Sequence, residues 1–221
     1  MMNKLFDTYG QLLEKRLDRY RLLNIGEDTI RYDFFAALMQ SFDLEPHQIQ
    51  LEVAINEQCF VPMKNTASKR GEKPLIDLVV NEDKMKLSAE FGLFRQNSNE
   101  DGTINQTART VKMLNDMIRV SLESHFTGTK GYFICIADHK MLGHQMRSRI
   151  IERFPASYHI NNPLIRHQLA QKTNNFDARF LNVFTAMDRG INSELVYNRL
   201  LQAAQIQFET RLLIWEVTLE R

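Results

Sequence analysis

The chain has 221 residues, 43% of them hydrophobic and 25% charged, with a formal net charge of +1. That length suits one sizeable domain; the near-neutral balance rules little in or out, and any contact with nucleic acid must come from a local patch. No apolar run reaches the ~20 residues of a membrane span. The N-terminus lacks the apolar centre of a signal peptide, and Cys59 and Cys135 lie in apolar strand-like contexts, so a reduced, cytoplasmic protein is expected.

Leu5, Tyr9, Leu12, Leu13, Leu17 and Tyr20 recur at helical spacing and predict an amphipathic helix over 3–22, which Gly26 breaks. A second helix is expected over 28–42, with Asp28 as its N-cap, and Pro46 closes that segment. Arg31 and Asp33 on this helix are two positions apart, do not face each other, and are expected to meet solvent. The alternating QIQLEVAI over 48–55 predicts a strand. Two further strands, Leu75–Val80 and Met85–Phe94, are joined by the turn NEDK. Polar loops are expected over 61–72 and 95–106.

Val111, Leu114, Ile118 and Leu122 set a helix over 107–123, and Gly128 and Gly131 flank the turn into an apolar strand over 132–138. A helix over 143–154 ends at Pro155. NPLIRHQLAQ suits a short helix with proline near its start, whereas RFLNVFTAM fits a strand or a helix. The segment 192–210 reads as a helix and 211–219 as the closing strand. The order of elements implies an α/β fold, a mixed central sheet flanked by helices. The chain divides into an N-terminal helix (1–25), a core (26–140) and C-terminal α/β elements (141–221) that complete the same domain.

Two residues within this order carry chemistry. Asp77 sits in PLIDLVV and Glu90 in KLSAEFGLF, each a carboxylate within an apolar strand. A charge so placed is costly unless it is paired or binds a metal. Two acids on adjacent strands supply the hard oxygen ligands that Mg²⁺ or Mn²⁺ prefers, and such ions orient water and stabilise charge on phosphate. The competing reading makes both acids strand-end residues, in solvent or in structural ion pairs with Arg31 or Arg95. DHKMLGH (138–144) lacks the spacing and third ligand of a histidine metal site, and GTKG (128–131) lacks that of a phosphate loop.

The pattern Asp77…Glu90-x-x, set in the order α-β-β-β-α-β, resembles the PD-(D/E)XK nuclease superfamily over about 26–140. The phrases EDTIRYDFFAAL, SAEFGLFR, MLNDMIRVSL and GYFICIAD are similar to those of its uncharacterised bacterial members. The resemblance implies a three-layer restriction-endonuclease-like core and Mg²⁺- or Mn²⁺-dependent phosphodiester hydrolysis on nucleic acid. It makes Asp77 and Glu90 the metal ligands, with Glu27 or Asp28, or else Glu52, as the additional acid. The superfamily lysine falls on Gly92. Lys86 is four strand positions from Glu90, about 13 Å, so Lys112 and Arg109 on the following helix are the replacement cations. Lys64, Lys69 and Arg70 in the basic loop, with Arg95, are the expected phosphate contacts. The alternative is an inactive nuclease-like module that binds nucleic acid or protein, self-associating through the apolar segment 192–219.

Overall fold

The computed structural model describes residues 2–62, 73–95, 106–138, 156–169, 176–202 and 209–220, with the backbone alone at 106–110 and 166–169. Seven strands form one sheet: β1 (Ile49–Ala54), β2 (Leu75–Glu82), β3 (Met85–Phe94), β4 (Lys130–Asp138), β5 (Ser157–Ile160), β6 (Ile191–Gln202) and β7 (Thr210–Leu219). Their spatial order is β1-β2-β3-β4-β7-β6-β5. Only β3 and β4 run parallel, joined by the crossing helix α3 (Gln106–Thr127); every other neighbouring pair is antiparallel. The helices α1 (Met2–Leu17), α2 (Glu27–Phe42), α4 (Asn162–Leu169) and α5 (Ala178–Met187) complete the described elements.

The sheet has a core on each face, giving a three-layer α/β architecture. Along β4, Tyr132, Ile134 and Ile136 join Leu5, Tyr9, Ile30 and Phe34 of α1 and α2, while Phe133, Cys135 and Ala137 join Met113, Met117 and Val120 of α3. This is the period-two alternation of a strand covered on both sides. Phe34 meets Phe91 edge to face, with ring centroids 5.5 Å apart, and so docks α2 on β3. No helix among the described residues is long and apolar enough to cross a membrane.

The structure corrects several expectations. The first helix ends at Leu17, and Leu22–Asn24 forms a separate 3-10 turn. Gly26, not Asp28, is the N-cap of α2; Asp28 lies in its first turn. Arg31 and Asp33 are buried rather than solvent-facing. Packing of α1 on α2 brings Arg16 Nη2 to 2.6 Å from Asp33 Oδ1, and Arg31 turns toward the sheet. RFLNVFTAM, which fits a strand or a helix by sequence, is helical and lies within α5. The expected helix over 143–154 lies outside the described residues.

The largest correction concerns 192–210, where strand β6 replaces the expected helix. Its ladder with β7 shifts register between Leu195 and Tyr197 and again between Leu200 and Gln202. Across the first shift Leu195 packs in the α3-side core, whereas Tyr197 and Leu201 pack on the α1 side. A bulged strand loses its unbroken period of two, and its apolar residues then imitate helical spacing. The apolar residues of β7 enter both cores, where Leu212, Leu213, Ile214, Trp215 and Val217 are fully buried.

Candidate functional site at the β2–β3 fork

The β2–β3 ladder runs from Glu82↔Met85 to Leu78↔Ala89 and stops. Beyond that point β2 pairs with β1, and β3 with β4. Continuing the register by one position would set Asp77 beside Glu90, so the two acids stand at the mouth of the fork. The pleat also changes side here. Leu51 and Leu78 pack toward α2, whereas Val53 and Ile76 pack toward α3. Glu52, between them, takes the left-handed conformation with φ 51°.

Asp77 is thereby fixed between the strands. Its Oδ2 accepts the Phe91 amide at 2.8 Å, and its Oδ1 lies 3.2 Å from Arg31 Nη2. Arg31 also reaches Glu52 at 3.1 Å and Asp28 at 3.4 Å. Glu90 points toward α3, where Arg119 Nη1 donates to Oε1 at 3.1 Å and Oε2 at 3.3 Å. Lys112 Nζ donates to Asp116 Oδ2 at 2.8 Å and to the Phe91 carbonyl at 3.3 Å, and stands 3.7 Å from Glu27 Oε2. A cavity of about 520 Å³ opens at the fork, lined by Glu27, Asp77, Glu90, Lys112, Asp116 and Arg119, with Phe176 and Asp177 on the α5 side.

Burial holds the Glu90 carboxyl well above the usual carboxylate range; Asp77 and Asp116 push the same way, while Arg119 and Lys112 oppose it. Asp116 is raised for the same first reason, burial, against the pull of Lys112 and Arg119. Lys112 is also raised: burial works against its charge, and Asp116, Glu27 and Glu90 together outweigh it. The cavity is therefore a tightly coupled set in which carboxylates outnumber the cations that line it.

Among the residues singled out in the sequence, Asp77, Glu90, Glu27 and Lys112 come together in this cavity. Glu52 and Asp28 do not line it. Their largely exposed carboxylates lie on Arg31. Arg95 donates to the carbonyls of Leu22, Leu23 and Ile25, which ties the end of β3 to the segment before α2. The backbone of Arg109 lies in the first turn of α3, and its side chain falls outside the described residues, as do Lys64, Lys69 and Arg70 entirely.

Gly92 has a packing reason. A Cβ there would meet Phe94 Cε2 at 2.7 Å and Phe133 Cζ at 3.2 Å, so aromatic rings fill the volume into which a side chain at that strand position would grow. The cations that line the cavity, Lys112 and Arg119, both come from α3. Sequence reasoning missed Asp116 and Arg119. With Lys112 they form an i, i+4, i+7 stripe beside the apolar one, a signal present in the sequence but legible only once that face is known to be covered.

The donor set suits a hard divalent cation in kind, since every anionic group lining the cavity is an oxygen donor. Among the described residues, no three carboxylate, imidazole or thiol groups converge closely enough to hold a metal ion. The fit therefore rests on the pair Asp77 and Glu90, which line one cavity. Comparison with known protein families, curated proteins and solved structures returns no match to this chain.

Proposed function

We propose that the fork is a phosphodiesterase site of the PD-(D/E)XK kind, acting on nucleic acid with Mg²⁺ or Mn²⁺ held by Asp77 and Glu90. The observation that carries this reading is the meeting of Asp77, Glu90 and the Lys112 ammonium in one cavity at the end of the β2–β3 ladder. A bound divalent ion would lower the pKa of its water and offset charge on the phosphate. Arg31 and the Phe91 amide hold one oxygen of Asp77 each, fixing the carboxylate before any ligand arrives. Lys112 presents a compact, strongly hydrated cation suited to orienting a water. Arg119 supplies counter-charge to Glu90, so a cation held by that carboxylate would have to replace this partner. Cys59 and Cys135, free and buried, suit the reducing cytoplasm.

The test is Mn²⁺ or Mg²⁺ titration with plasmid and single-stranded DNA and RNA, comparing the wild type with Asp77→Ala, Glu90→Ala and Lys112→Ala. Metal-dependent cleavage lost in both acid variants supports the reading; equal cleavage in wild type and both variants removes it.

One observation favours a second reading. Arg31 and Arg119 already partner Asp77 and Glu90, as in a fold that keeps the acids for structure. The protein would then be an inactive nuclease-like module that binds nucleic acid or another protein. Retained DNA or RNA binding with no cleavage under any divalent metal distinguishes it.

A further inference from the structure

We infer that Asp116 is the positioning residue of the fork, holding the Lys112 ammonium on one oxygen and the Arg119 guanidinium on the other so that both cations stand over the acids. This rests on the fork being the phosphodiesterase site described above. The geometry is specific. Lys112 Nζ lies 2.8 Å from Asp116 Oδ2 and Arg119 Nη2 lies 3.4 Å from Asp116 Oδ1, while Arg119 Nη1 serves Glu90. The spacings, four and three residues along α3, place the acid between its two partners on one helix face.

Asp116 is only 5% exposed at its side chain, whereas the other acid beside Lys112, Glu27, is 35% exposed and stands farther away, at 3.7 Å. A buried carboxylate is costly without partners, and Asp116 has two cations directed at the site.

The need for such a residue follows from Gly92. A lysine two positions after Glu90 would be aimed by the strand itself. Lys112 reaches the fork from a helix on a flexible four-carbon stem, and its side chain is 36% exposed. Something must select the one rotamer that brings Nζ to the Phe91 carbonyl, and Asp116 makes the shortest contact that does so. Arg119 is shared in the same way. When Glu90 changes partner, Asp116 remains to keep the guanidinium in place.

The experiment uses the full chain and three substitutions: Asp116→Asn, Asp116→Glu and Lys112→Ala. Lys112 is labelled with limiting acetic anhydride in the absence of metal and nucleic acid, normalised to Lys130 and read by mass spectrometry. Cleavage with Mn²⁺ is measured as separate kcat and KM, and thermal melts run alongside. Asp116→Asn is expected to raise Lys112 labelling severalfold. It lowers kcat roughly 10- to 100-fold with KM nearly unchanged, the usual scale for losing a supporting contact.

Asp116→Glu recovers part of both readouts, and it carries the comparison if the amide variant does not fold. In the Lys112→Ala background, Asp116→Asn is expected to cost much less than in wild type. Unchanged labelling overturns the inference, as does a kcat loss fully additive with Lys112→Ala. Absence of cleavage by the wild type overturns the phosphodiesterase reading instead, and the labelling still decides whether Asp116 holds the ammonium.

Discussion

One nitrogen of Arg119 serves both oxygens of Glu90, at 3.1 and 3.3 Å, and the carboxylate it serves is almost sealed from water. A fork–fork pair would use two guanidinium nitrogens; here the second, Nη2, is turned toward Asp116. Glu90 therefore has a single counter-charge directly bonded to it while four other acids, Glu27, Asp77, Asp116 and Asp177, line the same cavity. Burial outweighs the pairing, and the proton is held more tightly than in a free glutamate.

That balance has a pH signature. A carboxyl whose folded pKa is raised lends stability that is fully present below its unfolded value, about 4.3, and is lost as pH rises through the folded value. The stability of wild type relative to Glu90→Gln should therefore be greatest near pH 4 and fall toward neutral pH. Urea denaturation of both proteins across pH 4–8 measures it. A difference that grows with pH would mean that the arginine contact governs the titration.

Removal of Arg119 should be costly. Truncating one partner of a buried ion pair leaves an uncompensated charge, at about 3–5 kcal/mol. The figure here belongs near 3, because the Arg119 side chain is 24% exposed and Glu90 can protonate instead. Arg119→Gln should lower the urea midpoint accordingly, and Arg119→Gln with Glu90→Gln should recover much of the loss. If Mn²⁺ takes the same carboxylate, it should raise the melting temperature of Arg119→Gln more than that of wild type.

Gly92→Ala tests whether the surrounding rings are what demands a glycine two positions after Glu90. The added methyl would overlap the Phe94 ring, and overpacking of this kind costs about 1–3 kcal/mol. Pairing Gly92→Ala with Phe94→Leu should relieve part of that cost. A neutral Gly92→Ala in denaturant titrations would show that the rings can yield and that the position accepts a side chain.

The contrast between legible and illegible features follows from what each residue needs. Asp77 and Glu90 stood out because a charge inside an apolar strand has few tolerable explanations. Residues α3 and β4 contribute are also visible, since the three-and-four spacing of Val111, Leu114, Ile118 and Leu122 and the run YFICIAD each fit one element. Arg119 and Asp116 were hidden because polar residues on an amphipathic helix ordinarily face water. Only the arrival of β3 and α5 against that face turns them into site residues. β6 was misread because its two register shifts erase the alternation that identifies a strand. Arg31 and Asp33 were misplaced for a related reason: their partners, Asp77 and Arg16, lie on other elements that local spacing cannot see.

Glu52 offers the cleanest separation of structural acids from site acids. It adopts φ 51°, its carboxylate is 63% exposed, and it contacts Arg31 rather than the cavity. Glu52→Gly would relieve about 1–2 kcal/mol of left-handed backbone cost. Against that stand the extra chain entropy of glycine, roughly 0.5–1 kcal/mol, and loss of an exposed ion pair, at most about 1 kcal/mol. Stability in urea should thus change by no more than about 1.5 kcal/mol, with Arg31 still held by Asp77 and Asp28. Any Mn²⁺-induced rise in melting temperature should survive Glu52→Gly and vanish in Asp77→Ala and Glu90→Ala. Loss of that rise in Glu52→Gly would move the binding site to the Arg31 side of the sheet, because Glu52 is paired with Arg31, which in turn holds Asp77.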